Sequence, residues 1–366
     1  MNKKSDQLFS VAPSRRSFLK SAAVFGVGAG ASGLYAPYVR ADAGQVVVRG
    51  LGGAYEAAMT KAIYEPFTAE TGIKVAVQPA TAAQVRAMVE ARQVRIDVVD
   101  LVDVALMSLD RIGALQSIAY DKMTFTKPDD IQATVRRPNM VGNLYFATVL
   151  AYNTEVFATG SHPRGWQEFW DVQKFPGART LADQKSGAAE LEFALLADGV
   201  AKDALYPLDI DRAFASLDKI KSSVVKWWDT GAVSAQMLEL KEAVIGGIWN
   251  GRAQALIDNG APIAIDWTEA KQQVQYWGVV KGAANSENAQ RFIDFALQPE
   301  VQGKLTQFIA YGPSNTKAFD HVRKEDLAKL PSNPEFFPKT FEQSPEWWTD
   351  NLSTVGSRWQ SWVLSK

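Results

Sequence analysis

Three groups of residues carry types and spacings that could do chemistry. The first is Trp249-Asn250-Gly251-Arg252, preceded about twenty residues earlier by Trp227 and Trp228. Val244–Trp249 reads as a strand ending in Asn-Gly, which puts a large indole at a strand end beside polar groups on a turn. A flat apolar wall with a few polar handles suits the capture of a small solute, although a Trp at such a position can equally be core. The second group is Gly50-Leu51-Gly52-Gly53 with Tyr55. It joins the run Val46-Val47-Val48 to a helix through Tyr55, Ala58, Met59, Ala62, Ile63 and Phe67. A Gly-rich strand-to-helix turn lets backbone N–H groups approach a ligand, and it can also be a tight turn and nothing more. It lacks the lysine of a phosphate loop and the third glycine of a dinucleotide fingerprint. The third is the acid pair Asp100 and Asp103, at or just past the carboxyl end of Asp97–Val102. In parallel α/β sheets ligands bind at that end, and an acid there can hold an amine or cap a helix.

The elements that must position these groups alternate. Strands are expected at 45–49, 73–77, 97–102, 144–153, 179–181, 224–228, 244–249, 263–267 and 274–280, with amphipathic helices between most of them, among them 81–92 and 286–297, the latter with Ser286 as N-cap. This alternation predicts an α/β fold with a mostly parallel sheet in each of two lobes. Tyr145 and Phe146 sit on the long run 144–153, as cleft floor or as core aromatics. Trp166, Phe169 and Trp170 share one helix face and read as core. The tail carries Trp347, Trp348, Trp359 and Trp362 and is expected to form a helical cap.

Composition narrows the function. The chain has 366 residues, 47% of them hydrophobic, enough for one large or two medium domains. With 39 basic and 40 acidic side chains, nucleic acid and anionic membrane are poor partners. There is no cysteine, which excludes disulfides, thiolate metal sites and cysteine nucleophiles, and only His162 and His321 could serve a His-based site. No Gly-x-Ser-x-Gly elbow is present and no spacing singles out a catalytic carboxylate pair, which disfavours an exported hydrolase. Neither an enzyme nor a cofactor is expected.

The N-terminus reads as an export signal. Ser14-Arg15-Arg16-Ser17-Phe18-Leu19-Lys20 precedes an uncharged Gly/Ala-rich run, Ser21–Ala36, which is too short to span a membrane. The adjacent arginines resemble a twin-arginine signal read by the twin-arginine translocase. Cleavage is expected after Ala41, leaving a periplasmic chain with no lipidated cysteine.

Several motifs together resemble one family. They are Gly52-Gly53-Ala54-Tyr55, Glu65-Pro66-Phe67, Glu70-Thr71-Gly72-Ile73-Lys74-Val75, Asp97-Val98-Val99-Asp100-Leu101, Trp166-Gln167-Glu168-Phe169-Trp170-Asp171, Phe175-Pro176-Gly177, Lys226-Trp227-Trp228 with Trp249-Asn250-Gly251-Arg252, and Tyr311-Gly312-Pro313-Ser314-Asn315. In this order, over about residues 45 to 320, they resemble the periplasmic solute-binding proteins of ABC transporters, in particular the spermidine/putrescine-binding branch. The resemblance implies a type II two-lobed fold, with 42–146 plus 279–325 as the first lobe, 147–278 as the second and 326–366 as the tail. It implies a monomer that closes on a small amine solute and delivers it to a permease. Trp249 and Tyr311 match the family's aromatic wall.

The family's second-lobe acid pair falls on Ser186 and Ala189, and its acid on the return crossing falls on Tyr276 of Val274-Gln275-Tyr276. Loss of these carboxylates disfavours a tri- or tetra-amine. Asp183, Glu190 or Glu192 could replace the pair, and Asp100 or Asp103 could hold one amine. Putrescine, an aminobutyrate-like zwitterion or another small organic amine would fit. For a zwitterion, Arg252 or the Gly52-Gly53 turn could meet the carboxylate. The expected ligand-binding set is therefore Gly53, Tyr55, Asp100, Asp103, Tyr145, Ser186, Trp249, Asn250, Tyr276 and Tyr311.

Overall fold

The structure, a computed structural model, describes residues 44–158, 160–187, 189–333 and 335–365. The twin-arginine segment and the cleavage position after Ala41 lie outside them.

Strand β1 (Gln45–Gly50) leads into α1 (Gly53–Met59), which passes through a single π-helical segment, Thr60–Tyr64, into α2 (Glu65–Thr71). Gly72 ends α2 in the left-handed conformation, the usual stop for a helix. Next come β2 (Lys74–Pro79), α3 (Ala82–Glu90), β3 (Val98–Val102), α4 (Asp103–Arg111) and the short β4 (Leu115–Gln116). Thr81 and Gln84 close a reciprocal capping box on α3. The long β5 (Val141–Asn153) carries the chain into α5 (Gly165–Trp170), β6 (Arg179–Ala182), α6 (Leu191–Ala197), α7 (Ile210–Ile220), β7 (Val224–Trp228), α8 (Gly231–Glu239), β8 (Ile245–Trp249) and α9 (Asn250–Asp258). It returns along β9 (Ile263–Val280) to α10 (Ser286–Ala296), α11 (Pro299–Leu305), β10 (Gly312–Pro313) and α12 (Lys324–Leu327), and ends with β11 (Phe341–Glu342) and α13 (Pro345–Leu364).

The strands run in the order β2-β1-β3-β9-β5-β8-β6-β7, with β10 on β5, and β4 and β11 on β9. The flanks are parallel (β1 with β2 and β3, β6 with β7 and β8), whereas β5 and β9 pair antiparallel with each other, β5 with β8 and β9 with β3; the short β11 lies parallel to β9. The mostly parallel expectation therefore holds for the flanks of a mixed sheet. The β5–β9 ladder runs from Val141↔Trp277 to Asn153↔Ile263, with irregularities at 142/144 and 148/150.

The core divides along this ladder. One apolar cluster joins residues from Val46 to Phe146 with residues from Tyr276 to Tyr311. Two others gather residues from Ala147 to Ala270, and the larger of them also takes in Val104, Phe341 and the tail residues Trp348, Val355, Trp359 and Trp362. The tail thus lays its indoles on α6 and α7, through Trp348 Nε1 to Glu192 (2.6 Å) and Trp362 Nε1 to Asp218 (2.6 Å). Surface ion pairs tie the same tail to the other side, Arg111–Asp350 and Arg137–Glu346.

Two local expectations are corrected. Asn285, not Ser286, precedes the first turn of α10, and the Ser286 hydroxyl donates instead to Gln116 (2.8 Å). The two runs read at 263–267 and 274–280 are one continuous strand, because Lys271 and Gln272 between them are buried and pair with Thr148 and Ala147 of β5 rather than forming a loop.

Candidate functional site

Between the two sides lies a cavity of about 680 Å3, within the range of small-molecule sites. The ends of β1, β3, β7 and β8 and the middle of β5 and β9 meet there. β1 delivers Arg49, and the turn after it delivers Gly52, Gly53 and Tyr55. The far wall comes from Lys185, from Asp229-Thr230-Gly231 after β7, and from Trp249 and Arg252 after β8. Phe146 forms floor, and Tyr311 a side. Gly52 and Gly53 both hold φ near +65° (68° and 62°), a conformation L side chains rarely adopt, and so aim this turn into the cavity.

Aromatic packing fixes the wall. Trp249 is edge-on to Trp228, with centroids 5.3 Å apart, and Trp228 is anchored through Nε1 to the Gly247 carbonyl (2.8 Å). Tyr311 lies 5.8 Å from Phe146 and 6.4 Å from Tyr55. Two glycines make room for these rings. A Cβ on Gly231 would stand 2.7 Å from the Trp249 indole, and one on Gly251 would stand 2.6 Å from the Tyr311 ring.

The charge at the cavity is mainly positive: Arg49, Lys185 and Arg252 against Asp229. Arg49 is committed, donating to the carbonyls of Ala80 and Asp100, both at 2.6 Å. Arg252 is half-buried, and its guanidinium forms no hydrogen bond or ion pair among the described residues. Burial pushes the Tyr311 phenol up to about 12, with Arg252 pulling against it, so Tyr311 presents a neutral O–H at neutral pH.

Of the residues read from the sequence, Gly53, Tyr55, Trp249 and Tyr311 line this cavity. Asp103, Ser186 and again Trp249 line a smaller chamber of about 60 Å3 behind it. Asp100 sits behind the wall, fully buried, with Tyr55 donating to its Oδ2 at 2.7 Å. Burial raises its carboxyl to about 7 against the lowering effect of Tyr55, Gln275 and Arg49. Asp103 is likewise raised to about 7 by burial, offset by the backbone N–H groups of Val104 and Val274 and by Lys271.

Three further residues, Tyr145, Tyr276 and Asn250, line neither space. Tyr145 turns away and donates to Gln132 (2.7 Å), leaving Leu144 and Phe146 on the wall. Tyr276 is buried facing Arg137, and its neighbour Gln275 reaches the wall instead. Successive strand residues face opposite sides, so each expectation lands one position off. Asn250 is fully buried with both ends of its amide engaged: Oδ1 accepts from Ala147 N (3.0 Å) and Nδ2 donates to the Ala310 carbonyl (2.5 Å). It ties β5, α9 and the segment before Tyr311 together.

The acids read as possible replacements are also engaged. Lys271 Nζ donates to Glu190 (2.6 Å) and Glu192 (3.3 Å), and the Asp183 side chain accepts from Lys185 N (2.9 Å) and from Trp359 Nε1 (3.2 Å). Residues missed by sequence reasoning are Arg49, Lys185, Asp229 and Lys271. For Arg49 and Asp229 the strand-end position was a usable signal.

This architecture, two sides of an α/β fold meeting over an aromatic cavity at strand ends, is that of a solute-binding receptor. Residues 62–338 match the family described as bacterial extracellular solute-binding protein. The chain is 31% identical over 336 residues to the gamma-aminobutyric acid-binding protein of Pseudomonas aeruginosa, covering 90% of this chain and 94% of that one. It is 25% identical over 268 residues to the spermidine/putrescine-binding periplasmic protein of Escherichia coli, covering 70% and 74%. A solved ABC transporter substrate-binding protein from Bradyrhizobium japonicum USDA 110 superposes with a TM-score of 0.82 at 34% identity, covering 87% of this chain and 99% of that one. The chain belongs to the bacterial extracellular solute-binding proteins. Its work is to bind a solute for an ABC importer, not to catalyse a reaction.

Proposed function

We propose that this chain is a periplasmic receptor for a small zwitterion of the aminobutyrate kind. Its two lobes, 42–146 plus 279–325 and 147–278, close on the solute and present it to a membrane permease. Export through the twin-arginine translocase, cleavage after Ala41 and action as a monomer belong to the same proposal.

The observation that carries the choice of ligand is Arg252, a half-buried guanidinium at the cavity beside Trp249 and Tyr311, with no partner among the described residues. A free guanidinium suits a carboxylate, which it can grip with two parallel hydrogen bonds. Asp229 supplies the one carboxylate of the same wall for an amine, with the indole of Trp249 as a cation–π surface. A polyamine would bring several ammonium groups to a wall with three cationic side chains, while Glu190 and Glu192 already serve Lys271. The aminobutyrate alternative therefore fits these side chains better than a polyamine. It also agrees with the gamma-aminobutyric acid binding for which the 31% identical relative is named. The solute is small against the cavity, so closure is needed to surround it.

A thermal-shift panel followed by calorimetry tests this, using 4-aminobutyrate, 5-aminovalerate, butyrate, putrescine and spermidine. A ligand at a hundred times its Kd stabilises by about 2.7 kcal/mol. The ω-amino acids are expected to shift the melt most. A shift confined to the polyamines would reject the zwitterion assignment.

A further inference from the structure

The chamber behind Trp249 has room for about two waters. Phe146 and Trp249 line both it and the cleft cavity, so the two spaces adjoin. Glu190, Asp103, Gln343 and Lys271 are the polar groups that matter in its wall. Lys271 comes from the middle of β9 and is 1% exposed. Its ammonium donates to Glu190 and Glu192 and lies 5.0 Å from the centre of the Phe193 ring. Two carboxylates and an aromatic face are what a protein offers to a primary ammonium ion.

One of the two carboxylates, Glu192, does not depend on Lys271 alone for its placement. Glu192 also accepts from the Tyr206 hydroxyl and from Trp348 Nε1, each at 2.6 Å. A second, independent feature points to an occupant. Gln343 is 5% exposed, faces the chamber, and neither its side-chain oxygen nor its nitrogen has a partner among the described residues. A buried amide in that condition calls for a polar guest.

We propose that the rear chamber is an alkylammonium subsite that the chain fills with its own Lys271, making this residue the determinant that keeps a second ligand ammonium out. A diamine reaching past Trp249 would meet a resident cation with its carboxylates already taken. A ligand with a single amine has no need of that space. The proposal deepens the zwitterion reading of the cleft, but its test does not use that ligand.

The test is Lys271→Ala in the full chain, followed by far-UV circular dichroism and thermal melts with n-butylammonium, 1,4-diaminobutane, tetramethylammonium and n-butanol. The variant is expected to melt below the parent. Butylammonium should raise its melt saturably and leave the parent unmoved, while tetramethylammonium and butanol should do nothing in either. Calorimetry should show affinity for 1,4-diaminobutane rising at least tenfold. A folded variant indifferent to butylammonium, or a parent that responds equally, overturns the proposal. Should the variant not accumulate folded, it is refolded in butylammonium chloride or in equimolar sodium chloride. Recovery only with the amine supports the subsite, and equal recovery, or none in either, rejects it. Failure of the zwitterion reading would show separately, in the parent's response to the ω-amino acids.

Discussion

Trp249 and Phe146 meet edge to face, with ring centroids 6.0 Å apart and planes at 83°, and both residues line the cleft cavity and the rear chamber. They form the partition between an open, cation-rich space and a small one that holds an internal ion pair. The indole is the mobile half of this partition only in principle. Trp228 stands against it on one side and the Gly231 backbone on another.

Trp249→Ala removes the partition and the cation–π surface together. Cation–π attraction contributes roughly 0.5–2 kcal/mol, and the lost apolar wall adds to it. Affinity for 4-aminobutyrate is expected to fall about 10- to 100-fold by calorimetry. Trp249 is half-buried, so the empty protein should lose about 1–3 kcal/mol in a denaturant melt, less than a fully buried Trp would. Unchanged affinity would move the solute away from this wall.

Arg252→Gln separates binding from folding. The guanidinium has no internal partner among the described residues, so the empty protein should stay within about 0.5 kcal/mol of the parent. A charge-assisted hydrogen bond contributes about 1.5–3 kcal/mol, so 4-aminobutyrate affinity should fall about 10- to 100-fold. Arg252→Lys should recover part of it, because an ammonium keeps the charge and loses the paired donors. Equal affinity in parent and glutamine variant would remove Arg252 from the carboxylate's recognition.

What could be read from the sequence was local. Trp249 at a strand end, the Gly52-Gly53 turn and Tyr311 before Gly-Pro are each set by a few adjacent residues, and all reach the cavity. Tyr145 and Tyr276 were misjudged because the middle of β5 and the end of β9 are buried on both faces. No alternation distinguishes one face from the other there, and a one-residue slip reverses a side chain. Lys271 was missed for a different reason. A run such as Thr268-Glu269-Ala270-Lys271-Gln272-Gln273 reads as a break between strands, since charged side chains are seldom fully buried without a partner. Its partners Glu190 and Glu192 lie about eighty positions away, beyond any spacing rule.

The buried acids set a pH dependence of stability. Burial raises Asp100 and Asp103 each to about 7, from an ordinary value of 3.8. In the unfolded chain these groups lose their protons near pH 4, while the folded chain keeps them to about 7. The folded state thus binds more protons across that window, and stability falls as pH rises through it. Glu168 and Asp198 are held below the usual range by Lys174, and by Lys219 and Arg212. They act only in more acidic solution and are screened at the surface. Melts of the empty protein should therefore be higher at pH 5 than at pH 7.5. Asp103→Asn should flatten the slope, and a melt rising from pH 5 to 7.5 would contradict the assignment.

Gly231→Ala sets helix propensity against the seat of the indole. Gly231 opens α8 after the Thr230 cap, and alanine is favoured over glycine in a helix by up to about 1 kcal/mol. Its methyl carbon, however, would lie 2.7 Å from the Trp249 ring and 3.1 Å from Arg252 Nε. The ring cannot retreat freely, because Trp228 and Phe146 hold its other edges. The displacement should fall on both wall residues, lowering 4-aminobutyrate affinity about tenfold while the melt changes little. Gly356→Ala, inside α13 where the new carbon meets nothing within 4 Å, isolates the propensity effect. It should stabilise by about 0.5–1 kcal/mol and leave binding alone. If the two variants bind alike, the seat of Trp249 does not govern the site.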